Sequence, residues 1–391
     1  MTKARHFVLA AGGTGGHMVP AAALAAELGR RGHHVSLVSD ARGVRFPGLF
    51  DEVATHVLPA GRVEGGVFGW LRAGRAMLAG RAASIKLFRD QRPAAVIGFG
   101  GYPALPALLG AFACKIPTAV HEQNAVLGRV NRLVARKVDA IATSYPDVER
   151  LAGAHRGKTH LVGNPVREAV LALRHQPFPL LEPDGIFRVL VTGGSQGASI
   201  LSDVVPDGLA LLPIGFRRRL QVTHQARVED IERVRAKYAE LTIAADLATY
   251  LPDLPEQLGW AHLVIARAGA STLAELTAAG RPAILVPLPG ATDDHQSANA
   301  REMTMAGGAR TIAQRNFNPV ELAKQMQKLG LDPAALQNAA GRARSCGRPD
   351  ATRDLADLVE SLDAPRGDML IGAAQAQIHG GHKRGDKAAF A

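Results

Sequence analysis

The chain has 391 residues, 47% apolar and 5% aromatic, with 42 glycines and two cysteines, Cys114 and Cys346. This length is too great for one ordinary domain and comfortable for two, and two distant cysteines exclude a disulfide framework or a structural zinc site. The net charge of +11 is one-sided: residues 1–160 hold 21 Lys and Arg against 10 Asp and Glu, and residues 161–391 hold 25 of each. The first part therefore suits a polyanionic partner, nucleic acid or an anionic membrane, unless the charge serves solubility alone.

In chain order, the apolar run after Lys3 and Arg5 is too short for a signal-peptide core. His6–Ala11 reads as a strand, Val19–Arg31 as a helix and Val35–Val38 as a second strand. Ala95–Gly98, Pro117–His121 and Ala140–Thr143 follow as strands, each leading into a helical pattern. A proline-rich break over 163–185 marks a linker. The alternation restarts with a strand at Arg188–Thr192, a helix at Ala198–Leu212, and strands at Leu220–Thr223, Leu263–Ile265 and Ala283–Val286. The pattern predicts an α/β protein of two doubly wound parallel-sheet domains, with ligands in the cleft between them. We place the domains at 1–162 and 163–345, with a helical segment at 346–363 packing back toward the first domain. Residues 364–391 lose periodicity and read as a disordered tail. No stretch reaches about 18 uninterrupted apolar residues, so no membrane-spanning helix is expected, and the chain reads as soluble, reduced and cytoplasmic.

Residues 65–89 contain no acid. Arg72, Arg75, Arg81, Lys86 and Arg89 interleave there with Phe68, Trp70, Leu71, Met77, Leu78, Ile85, Leu87 and Phe88. This composition suits a basic amphipathic helix lying on an anionic bilayer, or a helix burying its apolar face on the sheet.

Two glycine loops each follow the first strand of a domain. The first is Gly12-Gly13-Thr14-Gly15-Gly16-His17, and the second is Gly193-Gly194-Ser195-Gln196-Gly197-Ala198. Each precedes a helix whose free N–H groups favour an anion or substrate. A dinucleotide fingerprint, and with it a nucleotide-dependent oxidoreductase, fails at Met18, where a glycine is required. Further polar clusters fall where strands end: Gly100-Gly101-Tyr102, His121-Glu122-Gln123-Asn124, Gly163-Asn164-Pro165-Val166-Arg167, Ala270 to Glu275, and Asp293-Asp294-His295-Gln296. Nucleic-acid motifs and aromatic stacking platforms are lacking, so a nucleic-acid partner is not expected.

The motifs GGTGGH, GFGGYP, HEQN, GNPVR, GGSQGA and Ser/Thr-x-x-Glu, in that order over about residues 5–345, resemble the MurG family of glycosyltransferases. The resemblance implies a GT-B fold. It implies an inverting transfer of N-acetylglucosamine from UDP-N-acetylglucosamine to the C4 hydroxyl of undecaprenyl-diphospho-N-acetylmuramoyl-pentapeptide, at the cytoplasmic face of the inner membrane. Another UDP-sugar glycosyltransferase or a UDP-N-acetylglucosamine epimerase is the neighbouring alternative. Carried over by position, Glu275 would take the ribose hydroxyls from the first turn of a helix, and Ser195 a phosphate. Arg167 would approach the diphosphate, and Asn124, His295 and Gln296 the donor sugar or diphosphate. Leu251, ending a strand-like Thr249–Leu251, would read uracil through its backbone. Ala270, Ser271 and Thr272 would line the nucleotide. Thr14, Gly15, Gly16 and Tyr102 join the substrate-binding set. His17 is the candidate base or acceptor-orienting residue, with Glu122 its competitor. No Asp-x-Asp motif occurs, so catalysis is expected to need neither a protein-bound metal nor another cofactor.

Overall fold

The computed structural model describes residues 3–13, 15–41, 43, 49–61, 66–182, 184–194, 197–330 and 332–362. The first half runs β1 (His6–Ala10), α1 (Gly15–Arg30), β2 (His34–Ser39), β3 (Ala54–Val57), α2 (Gly66–Gln91), β4 (Ala95–Gly98), α3 (Ala104–Cys114), β5 (Thr118–Glu122), α4 (Arg129–Val134), β6 (Ala140–Thr143) and β7 (Thr159–Leu161). A short α5 (Glu168–Ala172) leads to β8 (Phe187–Thr192), α6 (Ser199–Ala210), α7 (Ile214–Arg217), β9 (Leu220–Gln225), α8 (Ile231–Glu240), β10 (Ala244–Ala248), α9 (Leu254–Trp260), β11 (Leu263–Ala266), α10 (Ala270–Ala279), β12 (Ala283–Leu285), α11 (His295–Ala306), β13 (Ala309–Thr311), α12 (Pro319–Gly330), α13 (Pro333–Cys346) and α14 (Ala351–Ser361).

The strands form two all-parallel sheets, ordered β3-β2-β1-β4-β5-β6-β7 and β10-β9-β8-β11-β12-β13. Central strands are apolar on both faces because helices cover both. In β1, Phe7 and Leu9 pack with Met18, Leu24 and Leu28 of α1, while Val8 and Ala10 face Phe88 of α2 and Leu108 of α3. In β8, Val189 and Val191 join Leu201 and Leu322, while Leu190 faces Leu273 and Leu276. Strand order reverses between β1 and β4, and again between β8 and β11. The two glycine loops and their opposite numbers after β4 and β11 therefore diverge at the switch points, where a crevice opens.

Three expectations are corrected. The strands not anticipated are β3, β7, β10 and β13, which are the four sheet edges. The helix expected from Val19 begins at Gly15, inside the glycine loop, with Pro20 a turn inside it rather than at its start. Thr249–Leu251 is not strand: β10 ends at Ala248 and Leu251 lies in the following loop, buried.

The basic amphipathic segment is α2, although Gly65 and the side chain of Phe68 lie outside the described residues. Its two ends differ. Trp70, Leu71 and Leu78 are 67%, 61% and 66% exposed, beside exposed Arg72 and Arg75. Further along, Ser84 and Phe88 are buried and Leu87 is packed on the core. No described helix is long and apolar enough to cross a membrane.

The last helix, α14, returns to the first sheet, where Leu355, Ala356 and Val359 share a core with Leu24 and Leu28 of α1. A partly buried polar cluster pins it there. His33 Nε2 donates to Glu360 Oε1 at 2.6 Å, Arg31 Nη1 donates to Asp357 Oδ1 at 2.6 Å, and Arg5 Nη1 donates to the Glu360 carbonyl at 2.8 Å. The tail at 364–391 lies outside the described residues.

Candidate active site

The early start of α1 sets the site. Gly13, at φ +87°, turns the chain out of β1 into a helix, which places Gly15, Gly16 and His17 in its first turn. The His17 ring lies 3.1 Å, through Nδ1, from the Gly12 carbonyl oxygen. A carbonyl only accepts, so Nδ1 carries the proton and Nε2 keeps its lone pair. The ring rests on the backbone after β4, where Gly100 and Gly101 have φ of +88° and +73°. A Cβ on Gly100 would lie 3.5 Å from His17 Nε2, and one on Gly101 would lie 3.3 Å from Nδ1. Glycine is needed at both for the positive φ, and at Gly101 for the close approach as well. Burial lowers the His17 pKa below its ordinary value; the Gly12 carbonyl and Glu122 oppose that shift, and His295 adds to it. The ring is therefore neutral near pH 7.

Glu122, the competing candidate, is engaged by its own loop. It is buried at the end of β5 and already accepts four hydrogen bonds. Oε1 takes the Asn124 backbone N–H and Nδ2, both at 3.1 Å. Oε2 takes the Gly128 N–H at 2.7 Å and Asn131 Nδ2 at 2.8 Å. With its lone pairs so engaged it organises the 122–131 loop and gives His17 a fixed negative neighbour. Its neighbour His121 is structural. Nε2 sits 2.9 Å from the Gly163 carbonyl, and burial pulls its pKa down to about 4.

On the second sheet, α10 begins at Ala270 behind Gly269, so Ala270, Ser271 and Thr272 form its first turn, with free N–H groups at a positive dipole end. The Ser271 hydroxyl oxygen is buried and has no partner. Glu275 sits in the second turn, not the first as expected, and is buried. Arg167, near the start of the linker and just before α5, reaches it with Nε at 3.0 Å and Nη2 at 2.7 Å, both on Oε1. Burial pushes the Glu275 carboxyl up, and Arg167 pulls it back. The two residues expected to contact the donor separately thus form one ion pair, which leaves Oε2 as the acceptor. Leu251 packs in the same core as Leu273 and Leu276.

Opposite, α11 opens with His295 and Gln296. His295 Nδ1 sits 2.8 Å from the Thr292 carbonyl. Gln296 Oε1 accepts from the backbone N–H of Ala268 at 3.2 Å and of Leu288 at 2.9 Å. The cleft is closed by contacts that no local pattern announces. Asp293 holds Arg132 at 2.8 Å and Arg150 at 3.0 Å from the first half. Asn299, a turn beyond Gln296, bonds the backbone N–H of Ala125 and Oδ1 of Asn124. Helical i, i+3 spacing from Gln296 was the one available pointer to Asn299.

The structure thus brings His17, Glu122, Asn124, His295 and Gln296 to the junction of the two sheets, and Arg167, Ala270–Thr272 and Glu275 to the second. Tyr102 is exposed beside Gly101. Thr14 and Ser195 lie outside the described residues. Among the described residues no group of three or more His, Cys, Asp or Glu is placed to hold a metal ion.

Residues 7–143 match the glycosyltransferase family 28 N-terminal domain and residues 188–357 the family 28 C-terminal domain. A protein of Zymomonas mobilis named UDP-N-acetylglucosamine–N-acetylmuramyl-(pentapeptide) pyrophosphoryl-undecaprenol N-acetylglucosamine transferase is 64% identical over 362 residues, covering 93% of this chain and 94% of its own. A protein of the same name from Novosphingobium aromaticivorans is 60% identical, covering 96% and 98%. Among solved structures, Acinetobacter baumannii MurG superposes with a TM-score of 0.73 at 29% identity, over 91% of this chain and 99% of that one. A Listeria monocytogenes UDP-N-acetylglucosamine 2-epimerase shares the fold alone, with a TM-score of 0.66 at 13% identity over 99% and 100% of the chains.

Proposed function

The chain belongs to the family of UDP-N-acetylglucosamine–N-acetylmuramyl-(pentapeptide) pyrophosphoryl-undecaprenol N-acetylglucosamine transferases, and we propose that His17 is the base of its transfer. The protein is a UDP-N-acetylglucosamine-dependent glycosyltransferase of peptidoglycan synthesis, converting lipid I to lipid II. The acceptor is the lipid-linked muramyl-pentapeptide.

The orientation of the His17 ring carries the mechanism. With Nδ1–H spent on the Gly12 carbonyl, Nε2 takes the proton of the acceptor C4 hydroxyl. The hydroxyl oxygen bonds the sugar's anomeric carbon as the bond to the diphosphate breaks, with inversion. The electron pair leaves on UDP. The positive charge developing at the ring carbon resembles that of glycoside hydrolysis. The leaving diphosphate is met by the first turn of α10, by the second glycine loop with Ser195, and by the Arg167 guanidinium. Glu275 Oε2 takes the ribose hydroxyls while Arg167 fixes the carboxylate. Leu251 reads uracil by its backbone. Thr14, Gly15, Gly16 and Tyr102 face the acceptor, and Asn124, His295 and Gln296 the donor sugar.

Radiolabel transfer from UDP-N-acetylglucosamine to a short-chain lipid acceptor tests these roles. His17→Ala should lose turnover and keep UDP affinity, whereas Glu275→Ala should lose donor affinity. Equal activity in wild type and both variants would refute the assignment. With no Asp-x-Asp pair in the sequence, we propose that transfer needs no protein-bound metal. Loss of more than about two decades of turnover on complete chelation, nearly 3 kcal/mol of barrier, would overturn that.

We also propose docking on the anionic cytoplasmic face of the inner membrane. Support comes from the charge excess in residues 1–160 and from the exposed apolar start of α2 among arginines. We keep the domain limits at 162 and 345, with 346–363 as a helical return segment and 364–391 as a tail.

A further inference from the structure

We propose that Asn299 is a positioning residue that sets the side-chain amides of Asn124 and Gln296 for the donor sugar, and only when the two domains are closed. The inference rests on the reading above that those two amides face that sugar.

Asn299 lies on α11 and is 1% exposed. Its Oδ1 accepts the Ala125 N–H at 2.8 Å. Its Nδ2 donates to Asn124 Oδ1 at 3.1 Å and to the Ala268 carbonyl at 3.3 Å. Turned over, the amide would set N–H against N–H and oxygen against two oxygens, so its sense is fixed by all three neighbours. That sense is passed on in both directions. Asn124 must keep Oδ1 toward Asn299, and its Nδ2 is claimed by Glu122 Oε1 at 3.1 Å. Glu122 can only accept, so Asn124 cannot flip. On the other side the Ala268 N–H, in the same residue as the carbonyl that Asn299 holds, donates to Gln296 Oε1. Gln296 is thereby left with Nε2 as its free end.

One hydrogen-bonded chain, buried at Glu122, Asn299 and Ala268, therefore runs Glu122–Asn124–Asn299–Ala268–Gln296 from one domain to the other. Such chains strengthen their members and penalise any broken link. Asn124 and Ala125 belong to the first domain, Ala268 and Gln296 to the second. The chain exists only while α11 lies against the 124–128 loop, as Ala298 does against Ala125 and Val126. UDP alone contacts the second domain and has no use for it. The hexosamine, lying between the two amides, is gripped only in the closed cleft.

The test uses the full-length enzyme with UDP-N-acetylglucosamine and a short-chain lipid acceptor, with UDP as competitive inhibitor and a melting curve for each variant. Asn299→Ala should raise the donor KM at least tenfold and leave the Ki of UDP within about twofold, since the sugar contacts are lost and the nucleotide contacts are not. Asn299→Asp keeps the volume and the Ala125 bond but points oxygen at two oxygens. It should be at least as impaired, and it decides the matter if the alanine variant melts below assay temperature. Asn124→Ala combined with Asn299→Ala should be less impaired than the product of the single effects, because one acts through the other. An unchanged donor KM, a Ki of UDP that rises in step with KM, or fully multiplicative single effects would overturn the inference. If Asn124→Ala itself keeps a wild-type KM, the donor-sugar reading fails first and this inference with it.

Discussion

The two glycine loops look alike in sequence and differ in what they deliver. After β1 the helix begins within the loop, at Gly15, and presents a side chain: His17, fixed by the Gly12 carbonyl and lying on Gly100 and Gly101. After β8 the helix waits until Ser199, behind Ala198 in extended conformation, and the Gly197 N–H donates to the Gly194 carbonyl at 3.0 Å. A Cβ on Gly193 would sit 2.4 Å from the Ala198 nitrogen, so backbone fills the space that a side chain would take. On the function proposed above, one loop places a base and the other offers peptide groups to an anion. The lesson is that where a helix starts relative to a glycine run decides whether the run is a mount for a side chain or a cradle of N–H groups.

That contrast can be broken in order of expected effect. His17→Ala should lower kcat by about 10²–10⁴, the usual contribution of a positioned base, with the Ki of UDP unchanged; stopped-flow or radiolabel turnover with UDP inhibition reads both. Its pH profile sharpens the point. The neutral ring is the active form and burial lowers its pKa. Turnover should therefore be full near neutrality, and its acid limb should lie below the ordinary imidazole value of 6.5. A limb above that value would mean that the ring is not buried in the free enzyme. Gly101→Ala adds a Cβ 3.3 Å from His17 Nδ1 on a backbone at φ +73°. Displacing the ring should cost roughly ten- to a hundredfold in kcat, with donor KM kept. Gly193→Ala strikes the other loop. It should raise the Ki of UDP about tenfold, from 1–2 kcal/mol of steric strain, while kcat at saturating donor stays near wild type. The smallest effect lies outside both loops. Replacing Arg72 or Arg75 by Ala should weaken binding to vesicles rich in anionic lipid about fivefold, roughly 1 kcal/mol per charge. Added salt should erase the difference.

The sequence was most legible where burial was greatest. Each central strand foreseen, β1, β2, β4, β5, β6, β8, β9, β11 and β12, lies inside its sheet and carries a buried apolar stretch, interrupted in β2, β5, β8 and β9 by polar residues such as Ser36, His121, Arg188 and Thr223. The four strands not foreseen are edges, such as His56 in a mostly exposed β3 and Asp246 in a half-buried β10. An edge strand buries one flank and takes its place from its neighbour's hydrogen bonds, so its own composition says little. The site divides the same way. The motifs put His17, Asn124, Arg167, Glu275 and Gln296 at strand ends. They did not disclose that Arg167 pairs with Glu275, that Glu122 is saturated with donors, or that Asn299 and Asp293 cross the cleft. Those contacts join residues as far apart as Asn124 and Asn299, and no short spacing encodes them. The start of α1 was misplaced too, at Val19 rather than Gly15, because the helix opens inside the glycine run, where composition reads as loop.

The return of α14 to the first sheet has a consequence for how the protein is made. Leu355, Ala356 and Val359 complete a core begun by Phe7 and Leu9, and His33 and Arg31 wait for Glu360. A chain leaving the ribosome N-terminus first can close its second domain before its first is finished. The half that holds His17 stays with one flank of α1 uncovered until α14 emerges. Nascent chains released short of α14 should therefore be recognised by chaperones through their first half, though every residue of that half's own sheet is already present.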